Sequence, residues 1–250
     1  MKVGMKTDMK KQFSWILTIA ISALLLGGCA TGENRHPDDP FEPMNRAVFR
    51  FNDAVDQAVL KPVATGYKAV TPEFARQSVS NVFNNAGGIW STLNAGFQLK
   101  GEKFLQGFFR VCTNTIFGIG GLFDVATALG LPDPQEDFGQ TLGYWGVKPG
   151  PYLVLPFLGS SNPRDGVGLA LGTYAHPFTH LDSDKAKYGL VGLGTINLRA
   201  SLLDVESAAE HSMFDRYIFF RDAYMQRRQN LIYDGNPPLD PAFEFSDDEL

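Results

Sequence analysis

Residues 137–165, DFGQTLGYWGVKPGPYLVLPFLGSSNPRD, constrain the fold of this chain more than any other stretch. Gly139, Gly143, Gly146, Gly150 and Gly159 alternate with Pro149, Pro151, Pro156 and Pro163, so a regular helix is interrupted every few residues. The same stretch carries too many aromatic and aliphatic side chains for a loop facing water. Two readings follow: a buried, kinked segment threading a core, or an apolar wall facing lipid or a lipid-like ligand. The rest of the chain favours the second.

The amino terminus reads as a targeting segment. Residues 10–29, KKQFSWILTIAISALLLGGC, run from basic to apolar to small, the three-part pattern of a secretory signal, with Met9 the better initiator. The apolar run from Phe13 to Leu26 is short for a membrane span. It ends in Leu26-Gly27-Gly28-Cys29, which resembles a bacterial lipobox. Cleavage after residue 28 would leave Cys29 as an acylated first residue, and several acyl chains hold a protein stably on a bilayer where one is marginal. Ala30, in place of the Asp that retains such proteins at the inner membrane, points to the outer membrane. With Cys29 acylated, Cys112 is the one remaining cysteine, so no internal disulfide can form.

The expected organisation is a signal peptide over 1–28, an acylated tether over 29–40, one helical domain over 41–235 and an acidic, disordered tail over 236–250. The net charge of −5, without a basic cluster on a helical face, excludes nucleic acid as the main partner. Met44, Val48, Phe51, Val55 and Val59 recur at helical spacing and predict an amphipathic helix ending before Pro62. Thr71, Pro72 and Glu73 predict the cap and first turn of a second helix, broken by NNAGGIW. Residues 89–99 fit an in-plane membrane helix or a core helix equally. Residues 102–117 place Phe104, Leu105, Phe108, Phe109, Cys112 and Ile116 on one face, with Cys112 an inert buried thiol. A helix of small and aliphatic residues over 185–203 and a last helix capped by Ser212 and Asp215 complete the pattern. In that last helix Tyr217, Phe220, Tyr224 and Leu231 form the apolar stripe, and Arg227 and Arg228 complement the dipole at its end. The fold class is all-α.

Constellations for bond chemistry are weak. Gly118, Gly120 and Gly121 lack a Walker lysine and fit a tight turn whose amides Asp124 accepts. His176 and His180 have metal spacing, but Pro177 lies between them and no carboxylate-rich motif completes a site. Ser160 and Ser161 sit outside any G-x-S-x-G elbow, which leaves a membrane-bound phospholipase as a minor alternative. Neither a catalytic residue, a metal nor a cofactor is expected. Asp137, Arg164 and Asp165 either pair and cap at the ends of the irregular segment or, for Arg164 and Asp165, contact a phospholipid headgroup. Amphipathic, Phe-rich helices without an 18-residue apolar run suit a monotopic protein lying in one leaflet, with irregular backbone lining a polar path.

The runs DPFEPMNRAVFRFND, FFRVCTNTIFGIGGLFDVA, EDFGQTLGYWGVKPGPYLVLPFLGSSNPRD and DRYIFFRDAYMQRRQ, together with the lipobox, resemble the MlaA/VacJ family of outer-membrane lipoproteins over nearly the whole mature chain. The resemblance implies a ring-like helical protein in the inner leaflet of the outer membrane, facing the periplasm and bound to a trimeric porin. It also implies an amphipathic channel that passes misplaced glycerophospholipid to a periplasmic lipid carrier. A purely structural lipoprotein is the alternative. Within this frame the segment from Phe138 to Gly146 is expected to move at the channel with Gly139, Gly143 and Gly146 as hinges. The helix bearing Gly189, Gly192 and Gly194 is expected to contact the porin.

Overall fold

The computed structural model describes residues 36–209 and 214–238. The signal segment, Cys29, most of the tether, Ser212 and the acidic tail beyond residue 238 lie outside the described residues. The all-α expectation holds, with two short strands added.

Helix α1 (Glu42–Val55) starts with Pro43 in its first turn, and an i,i+4 pair joins Glu42 to Arg46 at 2.6 Å. It does not stop before Pro62. A π-helical turn, Asp56–Leu60, leads directly into α2 (Lys61–Val70). In an α-helix Pro62 would lose one amide bond and press its ring on the preceding turn. The wider turn, in which the Lys61 amide reaches back to the Asp56 carbonyl, makes room for it.

The second helix also departs from expectation. Thr71 ends α2 in an extended conformation, Pro72 occupies the cap position without a side-chain bond, and α3 (Glu73–Phe97) runs unbroken through Gly87 and Gly88. Packing overrides the local preference for a break. Helix α4 (Gly101–Ile116) folds back on α3 across a turn containing Leu99, and the two approach closely where side chains are small. A methyl on Gly88 would lie 3.2 Å from Val111, one on Gly96 would lie 3.1 Å from the Phe104 ring, and one on Gly107 would collide with Thr92. These three pairs run in opposite order along the two helices, so the hairpin is antiparallel. Residues 89–99 are thus the end of α3 and the turn after it.

The turn after α4 satisfies its own amides. Gly118, Gly120 and Gly121 donate to carbonyls of Thr113, Thr115 and Asn114, not to Asp124. Asp124 instead caps α5 (Val125–Ala128) by accepting from the Thr127 amide, and Arg110 and Asn114 hold its carboxylate. Helix α6 (Phe138–Tyr144) follows. Strands β1 (Leu153–Leu155) and β2 (Gly159–Ser161) then pair antiparallel with Leu153 opposite Ser161. Helix α7 (Pro163–Ala175), a 3-10 turn over Pro177–His180, α8 (Asp184–Ala209) and α9 (Arg216–Ile232) complete the order. Asp215 caps α9 by accepting from the Tyr217 and Ile218 amides, as expected; Ser212 lies outside the described residues.

The buried apolar core is small: Val48, Tyr152, Val154 and Tyr217, with Phe49 and Tyr224 packed against them. Among the described residues, buried polar and charged side chains outnumber buried apolar ones. Asp39, fully buried, accepts from Tyr217 and Asn45, while Asn45 also bonds the backbone of Tyr152 and Val154. This clamp fixes the start of the helical body to β1. Outward, the Phe-rich face of α4 is open, and the expected burial of Cys112 does not hold. Leu105, Phe108 and Phe109 are about half exposed and Ile116 is 70% exposed, and Cys112 is half-buried, not enclosed. No helix among the described residues is long and apolar enough to cross a membrane.

Candidate functional site

Three elements converge on one ionic cluster. Asp137 is the N-cap of α6 and accepts from the Gln140 amide at 2.8 Å. Asn162 is the N-cap of α7 and accepts from the Asp165 amide at 2.9 Å, which sets Arg164 and Asp165 in the first turn of that helix. From α9, Arg228 reaches between them. Its two terminal nitrogens lie 2.5 and 3.0 Å from the Asp137 carboxylate, and one of them lies 3.0 Å from Asp165. Arg164 Nε donates to Asp165 at 2.9 Å, and the Tyr224 hydroxyl donates to Asp165 at 2.6 Å.

Glycines allow this convergence. A methyl on Gly139 would meet the Asp165 carboxylate at 2.5 Å and Arg228 at 2.9 Å, and one on Gly143 would meet Arg164 at 2.9 Å. A methyl on Gly168 would collide with the Gly139 amide nitrogen, so α6 and α7 touch backbone to backbone. Gly139 and Gly143 are helical, whereas Gly146 has φ +86° and open space around it.

The electrostatics follow from burial and pairing. Burial opposes ionisation of Asp137, yet hydrogen bonds and charge from Arg228 outweigh it and hold the carboxyl below its ordinary value. Burial likewise works against Asp165, and the Arg164 hydrogen bond with the Arg228 charge brings its value down. Burial and the hydrogen bond to Asp165 together push the Tyr224 hydroxyl well above its ordinary range. Both carboxylates are therefore charged and both arginines answer them.

Cavities lie on either side of the cluster. One, of ≈ 300 Å³, is bounded by Lys148, Asn162, Arg164, Tyr224 and Arg228. Another, of ≈ 510 Å³, is bounded by Asp137, Asp165, Tyr224 and Arg228 on its polar side and by Phe83, Trp90, Leu169 and Val191 on its apolar side. A third, of ≈ 420 Å³, opens between α1, α8 and α9, walled by Phe49, Leu202, Val205 and Phe219.

The residues singled out from sequence fall into separate groups. Arg164 and Asp165 are buried and paired with each other, while Phe138 packs near Trp90 with ring centroids 6.3 Å apart. Gly189 and Gly192 of α8 are open, and Gly194 of the same helix faces the Phe83 ring of α3. His176 Nδ1 accepts from the Phe178 amide and burial pushes its pKa down, while His180 Nε2 contacts the Tyr174 carbonyl. Among the described residues no group of three or more His, Cys, Asp or Glu could hold a metal ion. Ser160 bonds the Tyr152 hydroxyl and Ser161 the Asn162 carbonyl, so neither hydroxyl is seen bonded to a histidine.

Sequence reasoning missed Arg228 and Tyr224, which it assigned to the helix dipole and to an apolar stripe. The signal was present. Tyr217, Arg221, Tyr224 and Arg228 recur at spacings of four, three and four, one helical face of amphipathic side chains with polar tips. That face turns inward, with Tyr217 and Arg221 buried, while Ile218, Phe219 and Phe220 stand at the surface.

The comparisons with known proteins agree with one another. The profile of the MlaA lipoprotein family matches residues 37–231. A protein of Rickettsia felis is 38% identical over 198 residues, covering 78% of each chain. The intermembrane phospholipid transport system lipoprotein MlaA of Escherichia coli is 34% identical over 247 residues, covering 93% of this chain and 95% of that one. A chain solved for the structural basis for maintenance of bacterial outer membrane lipid asymmetry superposes with a TM-score of 0.68 at 34% identity, covering 78% of this chain and 98% of the solved one. On sequence profile, full-length relatives and fold, this chain belongs to the MlaA lipoprotein family.

Proposed function

We propose that this protein is an outer-membrane lipoprotein, anchored through acylated Cys29 in the inner leaflet, that removes misplaced glycerophospholipid from the outer leaflet and passes it to a periplasmic carrier. The observation that carries this reading is the reversed polarity of the body. Phe108, Phe109, Ile116 and Phe117 face outward, while Asn94, Gln98, Gln140, Arg164 and Asp165 are buried. An exterior of this kind suits acyl chains, and a polar interior with cavities suits a headgroup. The relatives named as phospholipid transport lipoproteins support it. Selectivity arises from geometry: inner-leaflet lipid meets the apolar outer wall, and lipid entering the interior finds polar groups. No bond is made or broken, so Ser160→Ala with Ser161→Ala should leave lipid transport intact.

The primary test is the outer-leaflet phospholipid content of cells lacking the protein, complemented by wild type or by Cys29→Ala. Accumulation that wild type reverses and the unacylated form does not is the expected result; absence of accumulation would leave a purely structural lipoprotein. Two finer assignments belong to the same reading. Gly146 lies in the left-handed region, closed to proline, so Gly146→Pro should alter transport and outer-membrane permeability if this turn moves at the path. Gly192 has open space for a larger side chain, so Gly192→Trp should weaken crosslinking to a trimeric porin if α8 forms that contact.

A further inference from the structure

Two of the cavities share the side chains that divide them: Tyr224 and Arg228 line both. The cavities differ in character. The smaller one has Lys148, Arg164 and Arg228 on its wall against one carboxylate, Asp38. The larger one carries the apolar residues Phe83, Trp90, Leu169 and Val191.

Arg228 is only partly satisfied by its carboxylates. A guanidinium carries five N–H donors in a fixed fork, and three hydrogen bonds run from its terminal nitrogens to Asp137 and Asp165. Its Nε–H is buried without an accepting partner; Asp165 Oδ2 lies 2.9 Å away but off the donor's line. The indole N–H of Trp90, a residue lining the larger cavity, is buried and unpaired as well. Orphaned donors in buried surroundings call for an explanation, and an acceptor that comes and goes supplies one.

We infer that Arg228 is the residue that recognises the phosphodiester of the transported lipid. In the structure Asp137 and Asp165 hold its guanidinium across the junction. A lipid phosphate drawn in by Lys148 and Arg164 replaces those carboxylates on Arg228 while its acyl chains lie against the apolar wall of the larger cavity. One phosphodiester monoanion takes the place of two carboxylates on the guanidinium, while Asp165 keeps its hydrogen bonds from Arg164 and Tyr224 and Asp137 keeps the Gln140 amide. A planar fork suits the step because it meets carboxylate and phosphodiester alike through paired hydrogen bonds, which an ammonium does not. The backbone contact between Gly139 and Gly168 ties α6 to α7, so Asp137 and Asp165 stay together and Arg228 is the partner that yields. A lipid without phosphate has nothing to offer the guanidinium. This rests on the transport reading above and adds the group that selects the headgroup.

The test uses the full-length acylated protein reconstituted in vesicles containing either phosphatidylglycerol or diacylglycerol with the same chains, followed by mass spectrometry of lipid retained on the purified protein. Wild type should retain phosphatidylglycerol over diacylglycerol by about tenfold or more, the scale of a charge-assisted hydrogen bond. Arg228→Lys, which keeps the charge and loses the fork, and Lys148→Glu, at an exposed position, should each remove most of that preference with diacylglycerol retention unchanged. Equal retention of both lipids by wild type, or an undiminished preference in folded Arg228→Lys and Lys148→Glu, overturns the inference and leaves the transport reading standing. Retention of neither lipid overturns the transport reading itself. Full displacement of phosphatidylglycerol by millimolar inorganic phosphate would overturn the assignment to a lipid headgroup in favour of a free anion.

Discussion

The α3–α4 hairpin and the junction of α6, α7 and α9 are both held by close approach at glycine, yet they treat water in opposite ways. In the hairpin, Gly88, Gly96 and Gly107 bring two helices together and leave Leu105, Phe108 and Phe109 facing out. At the junction, Gly139, Gly143 and Gly168 bring backbone together around arginines and carboxylates. Small residues thus serve one purpose, close packing, with the remaining side chains distributed according to two different surroundings. Apolar surface left in water costs roughly 25 cal/mol per Å², so the hairpin's outer face favours an apolar neighbour over water. A buried ion cluster contributes little net stability but becomes costly once one member is removed.

That contrast can be broken most sharply at Arg228. Arg228→Ala leaves Asp137 and Asp165 without their shared cation, and its unfolding free energy should fall by about 3–5 kcal/mol, read as a lower denaturant midpoint. A loss below about 1 kcal/mol, the usual worth of an exposed pair, would mean that solvent reaches the cluster freely.

Next in size is Gly168→Ala, whose methyl would press on the Gly139 backbone. A loss of about 1–3 kcal/mol is expected, the range for overpacking. Gly87→Ala, with open space in mid-helix, should instead gain about 0.5–1 kcal/mol. Thermal unfolding of the two variants side by side sets the sign of each.

Phe109→Ser sharpens the comparison from the outside. Phe109 is 54% exposed, so unfolding stability should move by no more than about 0.5 kcal/mol. Partition of the body onto vesicles, measured by co-sedimentation, should weaken by about 1 kcal/mol, a part of the value for burying a whole phenylalanine.

The smallest effect concerns acid. Asp124, near the end of the hairpin, has its carboxyl held down to about 2, because hydrogen bonds from Thr127, Asn114 and Arg110 outweigh the effect of burial. A folded value below the unfolded one contributes stability that is complete above the ordinary carboxylate pKa of about 4 and is lost as pH falls towards 2. Asp137 and Asp165 are shifted in the same direction and add to the same acid limb. Asp124→Asn should therefore flatten unfolding curves below pH 4 while changing little at neutrality.

The helices were legible where apolar spacing and caps agreed, as at Pro43 and at Asp215. They were illegible where a tertiary contact overrode a local breaker: Gly87 and Gly88 look like a stop until Val111 is seen to pack at that level. The site was harder still, because Asp137, Arg164 and Asp165 lie close in the chain to the irregular segment whereas Arg228 arrives from far along it. In α4 only the burial of Cys112 was misjudged, and in α9 Tyr217 and Tyr224 of the expected stripe do turn inward, joined by Arg221 and Arg228 in place of Phe220. The amphipathic Tyr and Arg stripe of α9 is the inward one, with Ile218, Phe219 and Phe220 at the surface.

The π-helical turn before Pro62 sets the rotational phase of everything after it. Each residue advances an α-helix by about 100°, so a turn holding one extra residue re-aims the following helix without ending it. Helix α1 is thereby free to address β1 through Asn45 and Asn52, while α2 presents Tyr67 to Asn197 of α8. Deleting one residue from Asp56–Leu60 would remove the widening that accommodates Pro62 and swing Tyr67 away from Asn197. One surplus residue lets a single rod serve two neighbours that lie in different directions.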